Sequence, residues 1–182
     1  MIEVELKGYA DDEIFNRVRR RYEFLRRELH EDVYYRHPCR DFSKTDEALR
    51  IRVKRFDGHF EAFMTYKGPK LDEESKTREE IEVELTEPDV HARILKKLGF
   101  TEVLRVVKRR EKYFVEKGVV VTLDDIEGLG KFIEIESLVE DESEVPELVE
   151  KLRSVLLSLG VRRFERRSYL ELLLREAGNG KA

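Results

Sequence analysis

The stretch Ile2-Glu3-Val4-Glu5-Leu6-Lys7 alternates apolar and charged side chains without a break. A period of two sends the two sets to opposite faces of a β-strand. The same run, Ile-Glu-Val-Glu-Leu, returns at 81–85, and Ile133-Glu134-Ile135-Glu136 repeats the theme. Leu49-Arg50-Ile51-Arg52-Val53-Lys54 keeps the period with bases in place of acids. The copies are unequally separated, which excludes a solenoid of regular repeats. Further strand patterns run from Phe60 to Lys67, Val103 to Val115 and Val119 to Asp124, with a shorter one from Asp32 to Tyr35. Roughly eight strands result, in an antiparallel arrangement with charge on one face.

Four helices are expected between and after the strands. The first starts near Asp11 and carries Ile14, Val18, Tyr22, Leu25 and Leu29 at spacings of three and four. The second has Pro88 in its first turn and Gly99 just past its end. The third runs from about Pro146 to Leu159 and is closed by Gly160. The fourth starts at Ser168 with Glu171 three residues on, a capping box. Polar loops are expected at 36–47, 68–79 and 137–144. None has a linker's composition, so residues 1–175 are expected to form a single domain, with a frayed tail over 176–182.

Composition narrows the class. The chain has 182 residues, a net charge of −4 and 42% charged side chains, against roughly a quarter in an ordinary domain. Balanced charge and persistent apolar periodicity exclude a disordered chain. No uniformly basic arm points to nucleic acid. The lone Cys39 excludes a disulfide scaffold and a cysteine-based zinc site. No apolar run reaches the roughly 20 residues that cross a bilayer, and the first residues already read as a strand, so the cytoplasm is the expected compartment.

All this charge has two readings. It is a solvated sheet face, of the kind a thermophile's surface carries, or it lines a lumen. Amphipathic helices need an apolar sheet face, and a sheet of about eight strands can close into a barrel. Helices outside then leave Glu, Lys and Arg inside, and like charges there are costly without an ionic ligand. Carboxylates at i and i+2 on one strand, about 7 Å apart, suit a shared divalent cation. Oxygen donors without cysteine point to Mg²⁺ or Mn²⁺. Arg50 with Arg52, and Lys108 with Arg110, supply paired bases for phosphate oxygens. No glycine-rich phosphate loop is present, which excludes P-loop and Rossmann sites.

Glu3-Val4-Glu5-Leu6-Lys7 resembles the Glu-x-Glu-x-Lys motif of the CYTH superfamily, which holds class IV adenylate cyclases and thiamine triphosphatases among the triphosphate tunnel metalloenzymes. The resemblance continues through Leu49-Arg50-Ile51-Arg52, Thr65-Tyr66-Lys67-Gly68-Pro69, Glu80-Ile81-Glu82-Val83-Glu84 and Val107-Lys108-Arg109-Arg110. Its longest match is Leu123-Asp124-Asp125-Ile126-Glu127-Gly128-Leu129-Gly130-Lys131-Phe132-Ile133-Glu134-Ile135-Glu136. Ser168-Tyr169-Leu170-Glu171-Leu172-Leu173 is similar to the cyclase branch.

The resemblance implies an α+β fold: an eight-stranded antiparallel barrel with a charged triphosphate tunnel and helices outside. It implies metal ligands at Glu3, Glu5, Glu134 and Glu136, with Glu82 the tunnel contributor of its strand in preference to Glu84. It places Lys7, Arg50, Arg52, Lys67, Lys108 and Arg110 on the phosphate chain. Lys7, Lys67 and Asp124 are the catalytic candidates. Lys54 and Arg109 are expected on the surface, as are His30, His37, His59 and His91. Cys39 is incidental. Tyr34 and Tyr35 are expected near the tunnel mouth, and Gly128 and Gly130 in a turn between strands.

The implied activity is a Mg²⁺- or Mn²⁺-dependent adenylate cyclase. The alternatives are a triphosphatase acting on inorganic or thiamine triphosphate, and a non-catalytic nucleotide- or polyphosphate-binding module. The expected partner is a small-molecule triphosphate such as ATP, with no nucleic acid and no membrane. Exposed edges or helices leave room for a homodimer.

Overall fold

The alternating segments all become strands in the computed structural model, which describes residues 2–70 and 78–179. The elements in chain order are β1 (Ile2–Tyr9), α1 (Asp12–Arg21), β2 (Glu23–Arg36), α2 (Phe42–Thr45), β3 (Ala48–Phe56), β4 (His59–Lys70) and β5 (Arg78–Glu84). They continue with α3 (Pro88–Lys97), β6 (Thr101–Glu116), β7 (Val119–Ile126), β8 (Gly130–Val139), α4 (Val145–Ser158) and α5 (Tyr169–Asn179). The fold is α+β, with one eight-stranded sheet in the order β1-β8-β7-β6-β2-β3-β4-β5. The pairings β1–β8, β8–β7, β7–β6, β2–β3, β3–β4 and β4–β5 are all antiparallel. β1 and β5 end this order, and no pairing joins them among the described residues. The expected barrel is therefore not closed by hydrogen bonds.

Two compact units are present: residues 1–28 with 108–182, and residues 29–107. In the first, Val4 of β1, Val119, Val121 and Leu123 of β7, and Ile133 and Ile135 of β8 are buried against Ile14, Phe15 and Val18 of α1 and Leu152 and Leu156 of α4. Each such side chain contributes about 1.5–3 kcal/mol by leaving water. In the second, Tyr35 of β2, Ile51 of β3, Ala62 of β4 and Leu85 close over Leu95 of α3. In both units, one sheet face carries the apolar partners of the helices and the other is left to charge.

Four expectations change. The first helix stops at Arg21 and does not reach Leu29; the chain turns extended at Tyr22 and enters β2. Leu25 is 47% exposed, so its helical spacing from Tyr22 and Leu29 was not a core stripe. Asp11 caps α1 by accepting from the Ile14 amide at 2.8 Å, and the Arg19-Arg20-Arg21 run sits at its C-terminal, electronegative end. Tyr34 and Tyr35, being adjacent in β2, point to opposite faces: Tyr35 enters the second core, while Tyr34 stands in register with Arg50. α2, a single turn capped by Asp41, had no sequence signal. Of the expected tail, residues 176–179 belong to α5, and 180–182 lie outside the described residues, as does most of the 68–79 loop.

Candidate functional site

In the first unit, cross-strand register assembles the charges row by row. Glu5 lies directly opposite Glu136, and Lys7 directly opposite Glu134, where β1 meets β8. Thr122 of β7 continues the Lys7–Glu134 row, and Arg110 of β6 is opposite Asp124 of β7. Glu3 pairs with Leu138 in the same register; its side chain lies outside the described residues.

The centre of this face is an ion network. Arg110 forks onto Asp124, donating from Nε at 2.7 Å and from Nη2, and also donates to Glu134. Lys108 Nζ stands 3.7 Å from Asp124, and Lys7 Nζ 4.0 Å from Glu134. All five side chains are buried, Asp124 completely. The Tyr169 hydroxyl donates to Asp124 at 3.0 Å. Its ring faces both lysines, with Lys7 Nζ at 4.4 Å and Lys108 Nζ at 5.4 Å from the centroid.

Burial alone would raise both carboxyls. Arg110 and Lys108 nevertheless hold Asp124 well below the usual carboxylate range, and Arg110 holds Glu134 down as well. The Tyr169 hydroxyl is pushed far up, first by burial and then by Glu134 and Asp124, so it stays protonated and can only donate to that carboxylate.

Local backbone contacts hold this face in place. The amide of Glu165 donates to the Lys7 carbonyl at 2.9 Å, and the Tyr9 amide to the Arg163 carbonyl at 2.9 Å. The returning chain passes so near Gly8 that a Cβ there would stand 2.4 Å from Val161 Cγ1. Only glycine fits. Tyr169 is set by the capping box at Ser168, whose hydroxyl accepts from the Glu171 amide while Glu171 accepts from the Ser168 amide.

In the second unit, Asp32 is the hub. It receives Nε and Nη2 of Arg52 at 2.6 and 2.5 Å, and Arg50 Nη1 stands 3.6 Å away. Arg50 donates to Thr65 Oγ1 at 3.2 Å, and Thr65 donates to Glu82 at 2.8 Å. Lys67 pairs with Glu80 at 2.6 Å at an accessible place. Lys54, expected as a surface charge, shares the Arg50 and Arg52 face and lies 4.6 Å over the Phe63 ring. Arg109 is exposed, as expected.

Four residues of these faces escaped sequence reasoning. Glu28, His30 and Asp32 are buried on one face of β2, and His30 is thus not a surface histidine. Lys112 continues the Lys108 and Arg110 phase and stands 3.6 Å from Glu28. The i, i+2 spacing of Glu28, His30 and Asp32 was the available signal. It was masked by charges at Arg27 and Glu31, which break the apolar half of the alternation.

A divalent cation fits the Glu5–Glu136 pair. Two carboxylates directly opposite across antiparallel strands repel one another, and a hard cation with oxygen ligands relieves that. No group of three or more acidic, histidine or cysteine side chains gathers in metal-binding proximity among the described residues. Glu134 is committed to Arg110 and Lys7, and Glu82 to Thr65 and, at 4.0 Å, Arg50. A cavity of about 240 Å³ opens on the opposite, outer face of the first unit. There Arg19 and Arg27 are both engaged by Glu111.

The chain is similar to named proteins over most of its length. A Methanocaldococcus jannaschii protein provisionally named an adenylate cyclase is 43% identical over 177 residues, spanning 94% of this chain and 98% of that one. Adenylate cyclase CyaB of Aeromonas hydrophila is 31% identical over 144 residues, spanning 78% of this chain and 71% of that one. The structure of the PH1819 protein of Pyrococcus horikoshii superimposes with a TM-score of 0.89 at 69% identity, covering 96% of this chain and 99% of that one. No helix among the described residues is long and apolar enough to cross a membrane. The CYTH domain model matches residues 1–169, which take in both charged faces, and the chain belongs to the CYTH family.

Proposed function

We propose that the chain is a divalent-metal-dependent enzyme acting on a triphosphate, and that its reaction is conversion of ATP to cyclic AMP and pyrophosphate. The observation that supports this best is the face shared by β1, β8, β7 and β6. An opposed carboxylate pair, Glu5 and Glu136, sits one row from Lys7 and Glu134, with Arg110 and Lys108 alongside. The overall resemblance to proteins named adenylate cyclases supports the cyclase reading of the reaction.

The proposed roles follow from donor chemistry. Glu5 and Glu136, with Glu3 and Glu134 beside them on the same strands, would hold Mg²⁺ or Mn²⁺, and Glu82 is the candidate of the second unit. The ion, when bound, neutralises phosphate oxygens and lowers the pKa of the attacking group. Lys7, Lys108 and Arg110 of the first unit, and Arg50, Arg52 and Lys67 of the second, are the phosphate-holding bases. The ribose 3′-hydroxyl loses its proton to solvent as its oxygen bonds to the α-phosphorus, the bond to the α–β bridging oxygen breaks, and pyrophosphate leaves with its charge balanced by these bases. Asp124, saturated by Arg110, Lys108 and Tyr169, is proposed to hold the bases in place and not to take the proton. The cytoplasm is the proposed compartment, in keeping with the single cysteine.

The test is product analysis of the purified chain with Mg²⁺ or Mn²⁺ and, separately, ATP, inorganic triphosphate and thiamine triphosphate. Cyclic AMP with stoichiometric pyrophosphate is the expected result. Orthophosphate release from any of the three assigns the chain to the triphosphatases instead. Binding of all three without turnover leaves a triphosphate-binding module. Glu5→Gln abolishes turnover and leaves the circular dichroism spectrum unchanged; full activity in that variant removes Glu5 from the site.

A further inference from the structure

Apolar surface is concentrated on the helix-bearing side of the second unit. Val90 and Ile94 of α3, and Leu98 just after it, are 39%, 51% and 64% exposed, and they recur every four residues along one stripe. Leu95 and Ala92, on the other side of the same helix, fill the second core. One buried stripe is what a surface helix needs; α3 has two. Ile81 and Val83 of β5 are 57% and 55% exposed. They share a strand face with Leu85, which packs in the same core as Leu95, so they extend the patch on the α3 side. Contiguous exposure of this kind marks an interaction surface.

We propose that this surface is a homodimer interface, in which α3 packs antiparallel on α3 of a second copy about a two-fold axis at Ile94. Charge selects the occupant and its direction. Glu87 and Asp89 stand at the start of α3 and Lys96 and Lys97 at its end. An antiparallel copy sets acid against base at both ends, and a parallel one sets like against like. With a rise of 1.5 Å per residue, Val90 of one copy and Leu98 of the other meet about 6 Å from the axis. Glu87 then lies about 6 Å along the helix from Lys97 of the second copy, within the reach of a lysine side chain.

Each contact occurs twice, which is the self-complementarity that a two-fold interface requires. Glu87, the N-cap residue, makes no side-chain capping hydrogen bond, so pairing it across the interface disturbs no cap. Edge pairing of β5 with a second β5 is the poorer arrangement, because it lays the Glu80, Glu82 and Glu84 row against its own copy. The helix stripe alone is small beside the roughly 800 Å² per partner of a stable interface; Ile81 and Val83 supply the extension.

Sedimentation velocity and light scattering of the full chain over a wide concentration range test this. The wild type is expected to be dimeric and Ile94→Glu monomeric, with the same circular dichroism spectrum. Lys97→Glu is expected to weaken the dimer about tenfold or more, the scale of about 1.4 kcal/mol, and Glu87→Lys with Lys97→Glu to restore it. In a Cys39→Ser background, Ile94→Cys is expected to cross-link to itself on oxidation, which keeps the test intact if Ile94→Glu does not fold. A wild type that stays monomeric to its solubility limit overturns the proposal. So does a dimer that survives Ile94→Glu, or a double swap that recovers nothing.

Discussion

The two charged faces are built to different specifications. In the first unit, Arg110 is held between Asp124 and Glu134, Lys7 and Lys108 complete the pairing, and no member is more than 8% exposed at its side chain. In the second, a single buried carboxylate, Asp32, serves both Arg50 and Arg52, while Arg52, Lys67 and Glu82 are 19%, 28% and 48% exposed. The first is a desolvated cluster of three bases and two acids whose geometry is over-determined. The second pairs its bases partly with carboxylates that stand in water, Lys67 with Glu80 and Arg50 with Glu82 as well as Asp32. Bases near water are the cheaper place to receive an incoming phosphate, because less desolvation has been incurred in advance. A desolvated cluster sets positions; a hydrated one binds.

The largest expected effect separates these roles through stability. Asp124→Asn leaves Arg110 buried with one ionic partner fewer and should cost about 3–5 kcal/mol, as removal of one member of a buried ion pair does. Asp32→Asn, beside a partly hydrated Arg52, should cost about 1–3 kcal/mol. Urea unfolding of both variants checks the order, and equal losses would break the comparison. Arg52→Ala reverses the emphasis: turnover should fall about 10²–10³-fold, as when a charge-stabilising donor is removed, while the stability loss stays within the about 1–3 kcal/mol of a buried carboxylate left with Arg50 as its base.

Acid should reach the first unit through its carboxyls. Arg110 and Lys108 depress Asp124 from 3.8, and Arg110 depresses Glu134 from 4.5. A carboxyl whose folded pKa lies below its unfolded value stabilises the fold above the unfolded value, and that contribution is lost as pH falls through the folded one. Wild-type stability should therefore decline with acidification below about pH 4.5. Asp124→Asn should show a shallower decline, and parallel profiles would take Asp124 out of the acid response.

The strand phases of β1 and β8 were legible because their motif residues sit on strands whose other face is continuously apolar. Glu5 and Lys7 alternate with Val4 and Leu6, and Glu134 and Glu136 with Ile133 and Ile135, so period and chemistry agreed. β2 was misread because both of its faces carry charge, and a helical spacing survived by coincidence at Tyr22, Leu25 and Leu29. With β2 went Asp32, the hub of the second unit. Partner choice was illegible for another reason. Asp124 was recognised by its motif, but its fork with Arg110 depends on the β6–β7 register, and register is set by turns and by packing that sequence periodicity does not encode. Open closure of the sheet was likewise beyond reach, since strand count alone permits a barrel.

The smallest expected effect concerns Tyr169, which lies on α5 and touches the network without being charged. Its hydroxyl gives Asp124 a hydrogen bond that Arg110 and Lys108 partly duplicate, and its ring faces Lys7 and Lys108. Tyr169→Phe keeps the ring and removes only the O–H donor, so the loss should stay near about 1.5 kcal/mol, the low end for a hydrogen bond to a charged acceptor. Tyr169→Leu removes the ring as well, forfeiting the cation–π contacts and packing volume, and should cost more than the Phe variant by about 1–2 kcal/mol. If a lysine ammonium is positioned by the ring, the Leu variant should also lose turnover that the Phe variant retains. Equal turnover in the two would mean that the over-determined face of the first unit holds Lys7 and Lys108 without help from α5.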